Sequence, residues 1–220
     1  MPLVSQDHRV AFFPIPKVAS TSIRYVMYEL IHGEPFRPRP EDGIRHIHQV
    51  PRFGFGAFDP RMLNRYRDYF RFTVLRDPLE RLASAHAYIF PRHFIRKWEG
   101  ETLAPEHAHL SRTPDLETFF LNIRDYMAAS RNLAFHVSPY AQWVGADLSA
   151  YQAVFRIEET ARIGAVLGAH LGRPVEIGQR NRAGDARRPE REVSRRALLA
   201  ALDHCRDDYA VCRGLYAPPG

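Results

Sequence analysis

A chain of 220 residues, 45% apolar and 25% charged, suffices for one domain with a sizeable core, and no run of 18 apolar residues occurs that would span a bilayer. The net charge of +6 and pI near 9.6 point to anionic partners, whether nucleotides, acidic or sulfated glycans, or nucleic acid, without choosing among them. Cys205 and Cys212 exclude a disulfide framework.

In chain order, residues 10–15 (VAFFPI) read as a short apolar strand, followed by a tight turn on Pro14 and Pro16. Ser20, Thr21 and Ser22 are helix-capping types, and Ile23, Val26, Met27 and Leu30 follow at helical spacing to a stop near Gly33. The Pro-rich stretch 34–43 is a loop, and 44–50 (IRHIHQV) alternates as a short strand or strand end before Pro51. A helix capped by Asp59 is expected over 60–69, then a strong strand over 69–75 (YFRFTVL). Asp77-Pro78 opens a helix toward Phe94, and 96–111 reads as irregular. Thr113-Pro114 opens another helix through about Met127, with Leu116, Phe119, Phe120 and Ile123 on one face. A strand over 151–157 leads into a helix ending at Gly172.

Residues 179–196, with seven arginines against three acids, read as a mobile basic loop before the last helix. If both cysteines lie on that helix, seven residues put their Cα atoms about 10 Å apart, beyond the roughly 7 Å reach of a bridge. Free thiols and a reducing, cytoplasmic setting are therefore expected, and the chain as it stands reads as soluble and untargeted. Strands alternating with helices predict a single α/β domain over 1–220, a central, mostly parallel sheet flanked by helices.

Three groups of residues carry chemistry. A helix N-terminus beside Lys17 and three hydroxyls is a ready anion site, with the geometry of a phosphate loop but no glycine. Of the 31 basic residues only Lys17 and Lys97 are lysine, so a compact ammonium at this turn stands out. Second, Arg76 sits where a strand gives way to a helix and Ser84 two turns inside it; ligands of open α/β sheets bind outside the carboxyl ends of strands. Third, His46 and His48 alternate on an apparently extended segment and so point the same way. A histidine there is poised as a base near neutral pH, but a surface role, or metal binding together with His107 and His109, fits the same residues.

P-K-V-A-S-T-S after a strand resembles the 5′-phosphosulfate loop of sulfotransferases that use 3′-phosphoadenosine-5′-phosphosulfate (PAPS). It is most similar to the carbohydrate sulfotransferases related to heparan sulfate 2-O-sulfotransferase. The run R-D-P-x-x-R-x-x-S-x-x-x-Y from Arg76 to Tyr88 resembles their 3′-phosphate site. The His-x-His between resembles an interval whose second histidine serves as base. The resemblance implies a P-loop-NTPase-like fold and in-line transfer of a sulfonate from PAPS to a hydroxyl, on a carbohydrate, without a metal, a nucleic-acid partner or a membrane span. Lys17, Ala19, Ser20, Thr21 and Ser22 would hold the 5′-phosphosulfate, with Lys17 also offsetting charge on the departing phosphate. Arg76 and Ser84 would hold the 3′-phosphate, and from the late basic loop Arg180 or Arg182 would reach that phosphate or an acidic acceptor. His48 would be the base with His46 supporting it, although which of the two acts stays open. Pro14 stands where the membrane-bound relatives have an arginine, which leaves the acceptor unidentified. Two other classes fit part of the sequence: a non-enzymatic basic module binding polyanions, and a P-loop kinase, which the missing glycines disfavour.

Overall fold

The apolar run after Arg9 forms the strand expected of it, but as the second strand of the chain. The computed structural model describes residues 1–18, 20–91, 104–178 and 188–220. It opens with β1 (Leu3–Ser5), antiparallel to β2 (Val10–Phe13) across a turn at Arg9. Three residues are too few to show a period, which is why β1 is not legible in the sequence. β3 (Phe70–Leu75) pairs parallel with β2, and β4 (Ala153–Arg156) parallel with β3, giving the order β1-β2-β3-β4. The expected class therefore holds: a four-stranded, mostly parallel sheet among helices. Phe12 and Phe72 stack at 5.0 Å in the sheet core, and Phe155 meets Phe72 edge-on at 6.1 Å. The buried Thr73 hydroxyl is satisfied by donating to the Phe13 carbonyl at 2.8 Å.

The chain divides into two compact units, Met1–Leu75 with Tyr140–Arg182, and Arg76–Pro139 with Ala183–Gly220. The first contains the sheet. Its helix α1 (Ser20–His32) buries Ile23, Met27 and Leu30 of the predicted face and leaves Val26 half-buried. α2 (Pro60–Arg65) starts on the Asp59 cap but stops four residues before the expected end, at Tyr66.

In the second unit, α3 (Pro78–Ile89) begins as expected, with the Asp77 carboxylate accepting from the backbone of Leu79 and Glu80. Phe90 follows as its C-cap, and residues 92–94 of the expected continuation to Phe94 lie outside the described residues. The single helix expected over 113–127 is two, α4 (Leu116–Leu121) and α5 (Ile123–Ala129), because Asn122 leaves the helical conformation; Asp115 is the cap. α6 (Arg131–Val137) follows from a Ser130 cap.

Back in the first unit, α7 (Ala141–Val144) is a single turn, and α8 (Thr160–Leu171) ends at Gly172, whose φ of 66° is the left-handed stop the sequence promised. The last expected helix, in the second unit, is also two: α9 (Arg195–His204) and α10 (Arg206–Val211), parted at Cys205. α9 is capped by Ser194, so residues 195–196 belong to a helix rather than to the basic loop expected there. Both cysteines are free and buried. This unit's core gathers Leu79, Leu82, Phe90, Phe119 and Tyr126.

Candidate functional site

The loop between β2 and α1 turns without a glycine because a lysine takes the left-handed step. Lys17 has φ 68°, a region that costs a non-glycine residue about 1–2 kcal/mol. Ile15 and Val18, 0% and 1% exposed, anchor the turn on either side and hold that conformation. Strain kept at one residue between two buried anchors is a mark of a functional position. Ser20 is buried and Thr21 and Ser22 are half-buried at the head of α1, whose first turn holds no acidic residue. The positive end of the helix dipole therefore favours an anion there, with no first-turn carboxylate to compete. Ala19 lies outside the described residues.

The strand expected over 44–50 is instead a 3-10 turn, Ile47–Gln49, which corrects the reason given for the two histidines sharing a direction. Gln49 Oε1 accepts from the backbone N–H of Arg45 (2.7 Å) and of His46 (2.9 Å), while His46 Nδ1 accepts from the His48 N–H at 3.4 Å. With Ile47 fully buried beneath it, the turn brings the rings of His46 and His48 face to face, 4.9 Å apart and 10° from parallel. A side-chain amide and an apolar anchor thus do what strand alternation was expected to do.

His48 Nε2 lies 3.0 Å from the Thr21 hydroxyl. Its pKa is pushed down to about 4, first by partial burial, then by the positive charge of Arg24 and the neighbouring His46. At neutral pH the ring is therefore uncharged and able to accept a proton.

Arg24 is the functional candidate that sequence reasoning missed. It is 0% exposed, sits with its guanidinium 4.3 Å over the Phe55 ring, and burial lowers its pKa to about 10. The signal was present: Arg24 falls four residues after Ser20 and three before Met27, on the stripe that periodicity assigns to the core. An arginine in that stripe needs a reason.

In the second unit, Arg76 is 8% exposed and pairs with Glu80, Nε to Oε2 at 3.3 Å, one helical turn away. Ser84 is half-buried on α3. Asp77 and Arg81 of that motif are engaged within the fold. The Asp77 carboxylate accepts from Tyr209 Oη at 3.2 and 3.1 Å, and burial, foremost, raises its pKa. Arg81 is buried against Asp208 (2.8 Å) and the Ser138 carbonyl (2.7 Å). Arg180 and Arg182 lie outside the described residues. Among the described residues, no three His, Cys, Asp or Glu side chains gather as a metal-binding group, and no helix is long and apolar enough to cross a membrane.

Comparison with known proteins bears on these motifs. Carbohydrate sulfotransferase 10 of Homo sapiens is 28% identical over 130 residues, 56% of this chain and 36% of the relative. That of Gallus gallus is 29% identical over 130 residues, 56% and 36%. That of Xenopus laevis is 33% identical over 109 residues, 46% and 30%. The chain spans about a third of the length of these curated relatives. No solved structure gives a significant match. The sequence profile described as the sulfotransferase family matches residues 2–173, from β1 past the end of α8 and across both the Lys17 and the Arg76 motifs, and the chain belongs to that family.

Proposed function

We propose that this protein transfers a sulfonate group from PAPS to a hydroxyl of a carbohydrate acceptor, with His48 as the base. The observation that carries the reading is the 3.0 Å approach of Thr21, in the anion loop, to the uncharged ring of His48. A residue suited to the donor's anionic end and a residue suited to the acceptor's proton meet at one place. The loop fits such a cosubstrate by its chemistry: a 13-residue helix N-terminus, Lys17, three hydroxyls and no first-turn carboxylate.

PAPS supplies the sulfonate. His48 takes the acceptor's hydroxyl proton at Nε2 as the new O–S bond forms and the S–O bond to the 5′-phosphate breaks. Lys17 and the α1 amides offset the charge that gathers on the departing phosphate oxygen, a preorganised positive field of the kind that dominates phosphoryl transfer. His46, stacked on His48 and capping its turn, holds the ring in place. Arg76 suits the 3′-phosphate, with charge-assisted hydrogen bonds, and Ser84 adds a hydroxyl donor. The carbohydrate acceptor rests on the relatives' printed name, carbohydrate sulfotransferase 10.

A transfer assay with sulfur-labelled PAPS and a panel of glycan acceptors tests the reading. Loss of transfer in Lys17→Ala and in His48→Ala is expected. Undiminished transfer in His48→Ala removes it as the base, and undiminished transfer in Lys17→Ala undoes the loop assignment. A chain that binds polyanions with steep salt dependence and without preference for 3′-phosphoadenosine 5′-phosphate over AMP would be a binding module instead.

A further inference from the structure

Among the described residues two arginines, Arg24 and Arg81, are fully enclosed, and they are treated differently. Arg81 is matched by Asp208 and a backbone carbonyl. Arg24 is 0% exposed, and Nε, Nη1 and Nη2 all lack a hydrogen-bond partner among the described residues. Its aromatic neighbour, Phe55, contributes a ring face 4.3 Å away but no counter-charge. Arg24 disfavours protonation of both His48 and the Met1 amine, and no hydrogen-bonded carboxylate faces it among the described residues. An enclosed charge without a partner is costly, and proteins keep one where something else completes the pair.

We propose that Arg24 is the buried half of an oxyanion site whose other half arrives with a ligand, a sulfonate, phosphate or carboxylate group at the edge where Thr21 meets His48. Helical side chains lean toward the N-terminus of their helix, so a residue at position 24 reaches back over the turn that starts at Ser20. Phe55, half-buried in a stretch without helix or strand, is the group that closes Arg24 off. Arg24 acts on the incoming charge through a poorly screening interior, so it needs no exposed edge to attract it.

The pairing has a consequence at His48. The charged or titratable groups acting on that ring are Arg24 and His46. An oxyanion beside Arg24 cancels the larger of those two charge effects, so the ring becomes a stronger base only when the ligand is in place. The inference deepens the proposed transfer reaction, because it concerns the same edge, but its test requires no turnover.

The experiment follows the His48 ring by NMR in the full chain while inorganic sulfate is added at constant ionic strength, with chloride as the control. Sulfate, and not chloride, is expected to raise the His48 pKa and the melting temperature. In Arg24→Met the His48 pKa starts higher, and the apparent sulfate affinity falls roughly tenfold or more, as for loss of a weakly screened opposite charge. Without sulfate the variant melts at or above the wild-type temperature, since an unpaired buried charge has been removed. Arg24→Lys, which keeps the charge, retains part of the response.

A His48 pKa that ignores sulfate in the wild type, or follows it equally in Arg24→Met, overturns the proposal; so does an Arg24→Met chain that fails to fold, which would mean that Arg24 has structural partners. Repeating the titration with 3′-phosphoadenosine 5′-phosphate and with a sugar carboxylate tells donor from acceptor. The probe whose binding weakens in Arg24→Met identifies the source, and loss with neither overturns the proposal. A sulfate response without any labelled transfer keeps the oxyanion site and discards the transferase reading.

Discussion

The hydroxyl of Thr21 and Nε2 of His48 stand 3.0 Å apart across 27 residues of sequence, and this contact ties the head of α1 to the Ile47–Gln49 turn. One residue belongs to the anion loop and the other is the candidate base, so displacement of either is felt by the other.

The depressed pKa of His48 makes stability depend on pH with a definite sign. An unfolded histidine titrates near 6.5, whereas in the folded chain burial, then Arg24 and His46, hold this one down to about 4. The folded state therefore binds fewer protons between those values, and the stabilisation, complete above pH 6.5, is lost as pH falls toward 4. Melting temperatures from pH 7 to 4 should fall less steeply in His48→Gln than in the wild type. Some slope persists through His204, whose pKa is lowered by burial against an opposing bond to the Val137 carbonyl. Identical slopes in the two proteins would count against the assigned depression.

The proposed role gives Lys17 a charge toward the donor and the structure gives it a positive φ, so its replacements should separate activity from stability. Lys17→Gly relaxes a φ of 68° that Lys17→Ala retains. Both should be inactive in sulfonate transfer, while the glycine variant unfolds at a higher denaturant concentration, by roughly 1 kcal/mol of stability. Equal stability of the two would show that the left-handed turn carries no strain.

Arg76 should discriminate between nucleotides. Its 3.3 Å pairing with Glu80 fixes the guanidinium by one helical turn, and Arg76→Ala removes the charge-assisted donors suited to a 3′-phosphate. Calorimetry should show affinity for 3′-phosphoadenosine 5′-phosphate falling about tenfold or more, with AMP binding little changed. Equal losses for the two nucleotides would detach Arg76 from the 3′-phosphate.

Arg81, although it lies in the same motif, is a matter of stability. Its ion pair with Asp208, at 2.8 Å, is buried on both sides, 1% and 6% exposed. Asp208→Ala leaves an uncompensated buried guanidinium and should cost about 3–5 kcal/mol in denaturant unfolding, while Arg81→Met with Asp208→Leu should recover most of that. A single variant as stable as the wild type would mean the pair is not enclosed.

Much of the scaffold was legible because its causes are local. Asp59 and Asp77 mark helix starts by accepting from the first free N–H groups, and Gly172 marks a stop by accepting a left-handed φ. The runs 10–13 and 70–75 are apolar enough that a parallel buried sheet was the natural reading. The errors came where a few residues could go either way. Alternation over 44–50 imitated a strand, and the side-chain amide of Gln49 decided for a turn. Asn122 and Cys205 interrupted helices whose apolar period ran straight through them.

The sequence by itself determined a tight turn carrying one lysine before a helix, a second basic motif after a strand and two histidines between them, because proline geometry and residue chemistry act over a handful of neighbours. Only the tertiary structure decided that His48 meets Thr21, that Arg81 finds Asp208 127 residues away, and that Arg24 is enclosed without a hydrogen-bond partner among the described residues. Those outcomes depend on which distant side chains share a low-dielectric interior, and spacing along the chain holds no record of that.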